Sequence, residues 1–110
     1  MAFTPYHNID GSNGVDIELI APGENVGAIR SIMITNTHAT ADATVSLFIQ
    51  NDPTAAAAST FRIISTIAIP SDTSLLLDNS TVLSFDNSSN GYGLYLTVGS
   101  SDTLDVMINI

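Results

Sequence analysis

Residues 44–50, TVSLFIQ, decide the fold that the sequence predicts. Apolar Val45, Leu47 and Ile49 alternate with polar residues, so an extended segment here has one apolar face and one polar face. A period of two is typical of a β-strand with one side on a core. We therefore predict a half-buried strand, with Leu47 in the core and Ser46 on the opposite face.

The same alternation recurs on both sides of this strand. It is clear in residues 15–19, 61–69, 92–98 and 104–110, and further strands are predicted at 26–35, 74–78 and 81–85. Turn and loop chemistry separates them, at 21–25, 37–42, 51–59, 69–72 and 98–102. No helical period is sustained anywhere. Seven or eight short antiparallel strands predict an all-β fold, a sandwich, jelly roll or small barrel, and a jelly-roll-like β-sandwich is the expected form.

Length and composition limit the classes of function that are possible. At 110 residues the chain is predicted to hold a single sandwich domain, residues 15–110, preceded by an extended N-terminal arm, residues 1–14. Cysteine is absent, which excludes disulfides and thiol chemistry. Lysine is also absent, and the net charge of −9 predicts no binding to nucleic acid or to anionic membranes. No signal peptide and no membrane-spanning stretch is recognised, so a soluble product is expected.

Two segments break the tidy alternation. In residues 25–36, Ile29 and Met33 fall on one face of a continuous strand, while Ile32 and Ile34 fall on the other. In residues 73–78, Leu76 opposes its two leucine neighbours in the same way. Since the outer face of a sandwich sheet normally meets water, apolar residues on both faces predict a second cover.

Three explanations of that second cover stay open. A loop or the N-terminal arm lies over the outer face, a neighbouring subunit does so, or a bulge near Arg30 switches the phase of the strand. On the second explanation, the residues predicted to mediate self-association are Ile32, Ile34 and Leu76.

The stretch DNSSNG, residues 86–91, resembles the first half of a calcium loop. Such a loop closes with a bidentate Glu at its twelfth position, which is Thr97 in this chain and falls inside a predicted strand. We therefore predict a polar turn rather than a metal site. In that turn Asn90 and Gly91, which tolerate positive φ, would close a hairpin, and Asp86 and Ser88 would bond nearby backbone amides.

No other pattern predicts catalysis or a cofactor. A second polar stretch, residues 8–14, lacks a fixed set of ligands, and His7 and His38 lack metal-ligand spacing. The carboxylates of Asp16 and Glu18 share one strand face, as solvated edge residues commonly do. No Gly-x-Ser-x-Gly nucleophile motif and no phosphate-binding loop is present. The expectation is a protein without enzymatic activity, metal or cofactor.

Residues 25–110 resemble small structural proteins of tailed bacteriophages. The shared pattern is a strand ending in Ile-x-Asn-Thr, a Val-x-Leu-x-Ile strand, a Pro-x-x-Thr-x-Leu segment and a closing strand, here Ile34–Thr37, Val45–Ile49, Pro70–Leu75 and Leu104–Ile110. The chain departs from the family where DNSSNGYG replaces a shorter Gly-Asp loop, which puts the register there in question. The resemblance implies a β-sandwich protein of the virion, made in the host cytoplasm. It would be a capsid decoration (cement) protein, or a tail, neck or fibre-attachment component.

Together, the resemblance and the doubly apolar strands predict a homo-oligomer, expected to be a trimer. Its other partners would be the major capsid protein or tail proteins. The alternative function is a lectin-like carbohydrate-binding module, because jelly rolls serve that use as well. The lack of Trp and the scarcity of Tyr argue against exposed aromatic platforms for sugars.

Overall fold

The structure, a computed structural model, describes residues 4–10, 14, 16–26, 28–51, 59–81, 83–99 and 103–110. These residues form eight strands, which confirms the all-β prediction. The strands are β1 (Tyr6–Asp10), β2 (Asp16–Ile20), β3 (Ser31–Asn36), β4 (Ala43–Gln50), β5 (Thr60–Ile69), β6 (Thr73–Leu77), β7 (Gly93–Val98) and β8 (Thr103–Asn109).

The strands form two antiparallel sheets of four. Sheet A has the order β1-β8-β3-β6, and sheet B has the order β2-β7-β4-β5. In sequence the pairs are nested, because β4 pairs with β5, β3 with β6, β2 with β7 and β1 with β8. This strand order is that of an eight-stranded jelly roll, so the predicted jelly-roll-like sandwich has the expected topology.

The inward faces of the two sheets make one apolar core. Leu47 on β4 and Val106 on β8 are fully buried, as the alternation predicts. The other core side chains come from nearly every strand, and include Leu19, Ile32, Ile34, Val45, Leu94, Leu96, Val98, Leu104 and Ile108. The outward residues of the same strands are mostly polar, so the sandwich is held by the burial of alternate side chains.

Three sequence predictions differ from the structure at the edges of elements. Residues 6–10, predicted as part of an extended arm, are strand β1 on the edge of sheet A, paired with β8. The strand predicted at 26–35 begins only at Ser31. The described residues of 81–85 form no strand, because Asn79 holds them in a turn: its carbonyl accepts from the N–H of Leu83 and its side chain from the N–H of Thr81.

The prediction that Ile32 and Ile34 lie on an outer face is wrong. Both are fully buried in the core, and so is Ile29. Ile29 precedes β3 and is therefore not bound to the alternation of that strand. The apolar residue on the outward face of β3 is Met33, which is half-buried, and its neighbour across the sheet is Leu76, which is 56% exposed.

A buried asparagine joins the two sheets at one end of the sandwich. Asn36, the last residue of β3 in sheet A, donates from Nδ2 to the carbonyl of Ile69 at 3.0 Å, and Ile69 ends β5 in sheet B. The same amide donates to the carbonyl of Ala41 and accepts from the N–H of His38. Buried amides with these bonds fix the β3–β4 turn against the end of β5.

Candidate functional surfaces

An apolar row crosses the whole outer face of sheet A. Its members are Tyr6 on β1, Met107 on β8, Met33 on β3 and Leu76 on β6, each directly opposite the next. Tyr6 is 69% exposed, Leu76 56% and Met107 40%. Side chains opposite one another on neighbouring strands are in contact range, so the four residues make one continuous apolar strip, here called the apolar row.

The next row on the same face is entirely polar. Asn8, Asp105, Thr35 and Ser74 lie opposite one another on β1, β8, β3 and β6. The amide of Asn8 donates to Oδ1 of Asp105 at 2.7 Å, and the hydroxyls of Thr35 and Ser74 are hydrogen-bonded at 2.8 Å. This polar row is the pattern that water-facing sheets favour, and it makes the neighbouring apolar row stand out as an exception.

A small apolar cavity opens beside the end of the apolar row. It has a volume of about 220 Å³ and is lined by Ile63, Leu76, Leu77, Asp78, Asn79 and Leu83. Ile63 belongs to β5 and Leu76 to β6, which are edge strands of the two sheets. The cavity therefore lies at the open side of the sandwich, where one side chain of another molecule would find apolar walls.

The outer face of sheet B carries a polar groove, here called the sheet-B groove. Its volume is about 420 Å³, and its lining includes Asp16, Ser46, Gln50, Thr60, Arg62 and Thr97. The buried ring of Phe48 forms part of its floor, and the Arg62 guanidinium lies 5.3 Å above the centre of that ring. Phe48 also stacks on Tyr95, with 5.9 Å between ring centres. The guanidinium therefore makes a cation–π contact with a ring that is itself held by stacking.

Irregular pairing in β5 shapes one side of this groove. The register between β4 and β5 shifts on both sides of Leu47, so β5 carries extra residues relative to its partner. At one shift, the N–H of Thr66 donates to Oγ of Ser46 at 2.9 Å. Thr66 has a φ of 54°, which is uncommon for a β-branched residue. A conformation of this kind persists only where the surrounding structure imposes it.

The DNSSNG stretch is a turn held by local bonds, although not the hairpin that the sequence predicted. Oδ1 of Asp86 accepts from the N–H of Ser88, and its carbonyl accepts from the N–H of Tyr92. The Ser88 side chain and backbone N–H bond the Asp86 carboxyl, and they hold its pKa below the ordinary value. The loop joins β6 of sheet A to β7 of sheet B, so it closes no hairpin.

Asn90 and Gly91 tolerate positive φ, but neither residue adopts it here. Gly91 is required for a different reason. A Cβ atom at this position would collide with the carbonyl oxygen of Asp86. Close approach of two backbone segments, rather than turn handedness, therefore explains the glycine.

The residue that the sequence analysis missed in this stretch is Asn87. It is buried, and its Nδ2 donates to the carbonyls of Ala21 at 3.0 Å and Tyr92 at 2.8 Å. Its Oδ1 accepts from the N–H of Val26, and its own carbonyl accepts from two further amides in residues 23–25. Asn87 thus ties the loop after β2 to the loop before β7. Nothing in its own sequence position distinguishes it from the exposed Asn90.

The other candidate residues lie apart. His7 bonds the carbonyl of Thr4, and Nδ1 of His38 accepts from two backbone amides of its own turn. Asp16 and Glu18 share the outer face of β2, where they accept from the hydroxyls of Thr97 and Tyr95. Ser12 and Asn13 of the polar stretch 8–14 lie outside the described residues. Within the part of the chain that the structure describes, no three His, Asp or Glu side chains gather as metal ligands.

Adding calcium at millimolar concentration is expected to leave the melting temperature unchanged, because a cation that bound only the folded protein would raise it. The carboxyl of Asp86 is committed to the Ser88 amide, and Thr97 stands where the closing Glu would be. Thermal denaturation with and without calcium, followed by circular dichroism, measures this. A rise that Asp86→Ala abolishes would instead establish a calcium site.

Comparison of the chain with protein-family models, with curated proteins and with solved structures gave no match. The described residues include no helix long and apolar enough to span a bilayer.

Proposed function

We propose that this chain is a non-enzymatic structural protein of a virus particle, a capsid decoration protein that associates with copies of itself as a trimer and docks on the particle. The observation that carries the proposal is the apolar row on the outer face of sheet A. It is an outward apolar surface of the kind for which the sequence predicted a second cover, but it consists of Met33, Tyr6 and Met107 beside Leu76 in place of Ile32 and Ile34. A tail, neck or fibre-attachment role would use the same surface.

The reason for self-association is the removal of apolar surface from water. The exposed fractions of Tyr6 and Leu76 are large for apolar side chains, and the row runs from one edge of the sheet to the other. A copy packed on this face would bury the whole strip, and its bulky side chains could enter the cavity lined by Ile63 and Leu83. Copies related by a closed rotation would cover one another's rows without leaving any exposed.

The acidic charge sets the condition under which this contact forms. Each copy carries a net charge of −9, so copies repel one another at low ionic strength. Salt screens charges that lie more than about 10 Å apart at 0.1 M. Association should therefore tighten as salt is added, which is the opposite of what an interface built on opposite charges would do.

Replacing Leu76 and Met107 together with serine is expected to shift the protein to monomer and raise the self-association Kd at least about tenfold. Both side chains are exposed, so the fold should survive the change. Sedimentation velocity over a series of protein and salt concentrations measures the distribution of species. Thermal melting of the same samples checks that the sandwich remains folded.

A matched control uses the polar row of the same strands. Ser74→Ala lies on β6, the strand that carries Leu76, and should leave association unchanged. A wild-type protein that stays monomeric at every salt concentration would contradict self-association. An oligomer that tolerates the double serine variant would place the contact on another face. A charge at Ile32 would not test the proposal, since that residue is in the core.

A further inference from the structure

We propose that the sheet-B groove binds a short neutral saccharide, through hydrogen bonds to its polar lining rather than by stacking on an exposed aromatic ring. The proposal concerns the opposite face of the sandwich from the apolar row and is independent of self-association. The groove has a volume of about 420 Å³. Pockets that hold small ligands span roughly 300–1,000 Å³, so its size is suitable for such a ligand.

The lining offers the hydrogen-bonding groups that sugar hydroxyls need. A hydroxyl both donates and accepts, so its best partners are donors and acceptors placed side by side. Arg62 presents N–H donors, and Asp16 presents carboxylate acceptors. The amide of Gln50 and the hydroxyls of Ser46 and Thr60 supply both kinds of group between them.

Cross-strand bonds hold these groups in place before a ligand arrives. The hydroxyl of Thr97 donates to Oδ1 of Asp16 at 2.7 Å, and Nε2 of Gln50 donates to the hydroxyl oxygen of Thr60 at 2.6 Å. Each of these bonds leaves capacity on its partners, since a carboxylate has a second oxygen and an amide a carbonyl oxygen. Groups that are already oriented lose less entropy on binding, which favours affinity for a weakly held ligand.

The backbone conformation of Thr66 helps to shape the β5 side of the groove. Positive φ is unfavourable for a β-branched residue and persists where the surroundings impose it. Thr66 lies where the pairing of β4 with β5 is irregular, beside the groove. The bond from the Thr66 N–H to Oγ of Ser46 fixes its position. The bulged edge strand brings Thr60, Arg62 and Thr66 to the same groove.

The charges of the groove and of the whole chain favour a neutral saccharide over an acidic one. Within the groove, Arg62 and Asp16 balance to zero, so no net local charge attracts an anion. The whole chain carries −9, and this field repels uronic acids, sulfated sugars and phosphates. A neutral ligand avoids that repulsion and can still accept from the guanidinium and donate to the carboxylate.

The test is a titration of ¹⁵N-labelled protein with a panel of saccharides, followed by amide chemical shifts. The panel contains neutral oligosaccharides of glucose, galactose, mannose, xylose and N-acetylglucosamine, an oligosaccharide of a uronic acid, and a neutral Gly-Ser peptide. At least one neutral saccharide should shift the amides of Ser46, Gln50 and Arg62 with a millimolar or lower Kd. Arg62→Gln and Asp16→Asn should each raise that Kd at least about tenfold.

Asp105→Asn is the control, because it makes the same chemical change on sheet A and should leave the Kd unaltered. Melting curves check that each variant is folded. If one of the two groove variants does not fold, Thr60→Val on the exposed edge strand is used in its place. The proposal is overturned if no neutral saccharide in the panel shifts the groove amides or if binding survives both substitutions. It is overturned as well if the uronic acid or the peptide binds as tightly.

Discussion

Replacing Leu47 with alanine is expected to lower the free energy of unfolding by about 2–5 kcal/mol, because buried leucines that lose their side chain leave a cavity as well as lost contacts. Leu47 is fully buried in the middle of sheet B, with Ile64 of β5 and Leu96 of β7 as its neighbours across the strands. Urea denaturation followed by circular dichroism measures the change, since the chain has no Trp to report by fluorescence.

Ser46→Ala is the matched control on the same strand. Ser46 faces outwards, and the alanine removes only the acceptor of the Thr66 N–H, so the expected cost is about 0.5–1.5 kcal/mol. Equal effects at the two positions would mean that the register of β4 is displaced by one residue, since that displacement exchanges the two faces of a strand.

Asn87→Asp is expected to lower the free energy of unfolding by about 2–4 kcal/mol, although the two side chains have the same shape, because stranded buried polar groups cost roughly 1–3 kcal/mol each. The amide of Asn87 donates to the carbonyls of Ala21 and Tyr92. A carboxylate cannot donate, so both carbonyls lose the bond from residue 87 and face a negative charge instead, and Ala21 keeps only the longer bond from the N–H of Glu24 at 3.4 Å. The same denaturation experiment gives the value.

Asn90→Asp provides the comparison for the effect of charge alone. Asn90 is exposed in the same loop, and the substitution adds the same negative charge to a chain that already carries −9. A surface change of this kind should alter stability by no more than about 0.5 kcal/mol. If the two variants lost the same stability, general repulsion and not the buried bonds would be the cause.

The fold class was predictable because most strands report their inner face through every second residue. Leu47, Val106 and the leucines of β7 are buried where the alternation places them. The order of the strands was not predictable in detail, since a period of two says which face is apolar and nothing about the neighbour. Among the possible all-β folds, the sequence predicted a jelly-roll-like sandwich, and the strand order of the two sheets is that of a jelly roll.

The failures share a physical cause, which is that periodicity holds only inside a regular strand. Ile29 lies just before β3, so its side chain reaches the core out of phase with Ile32 and Ile34. A strand was predicted at 81–85, yet Asn79 bonds the N–H groups of Thr81 and Leu83, and the described residues of this range form no strand. Local side-chain bonds to the backbone compete with strand formation and are not visible in an apolar pattern.

The two candidate surfaces could not be predicted from the sequence, for a different reason. Leu76 was identified correctly as an outward residue, whereas Tyr6 and Met107 join it only because β1, β8, β3 and β6 are neighbours. In the same way Asp16, Gln50 and Arg62 come from three strands, and only the sheet brings them to one groove. Cross-strand sites depend on pairing between distant segments, and a single sequence does not state the pairing.

The nested pairing of the strands has a consequence for how the chain reaches this structure. β4 and β5 enclose only residues 51–59, whereas β3–β6 enclose 37–72, β2–β7 enclose 21–92 and β1–β8 enclose 11–102. Closing a loop costs more conformational entropy as it lengthens, so forming the inner pair first shortens what every outer pair must still close. The folding route with the lowest entropy cost therefore forms the β4–β5 pair first, adds the outer pairs in turn and ends with the pairing of β1 and β8. Most contacts still join distant parts of the chain, so we expect folding to take milliseconds to seconds, as in other β proteins with distant pairings.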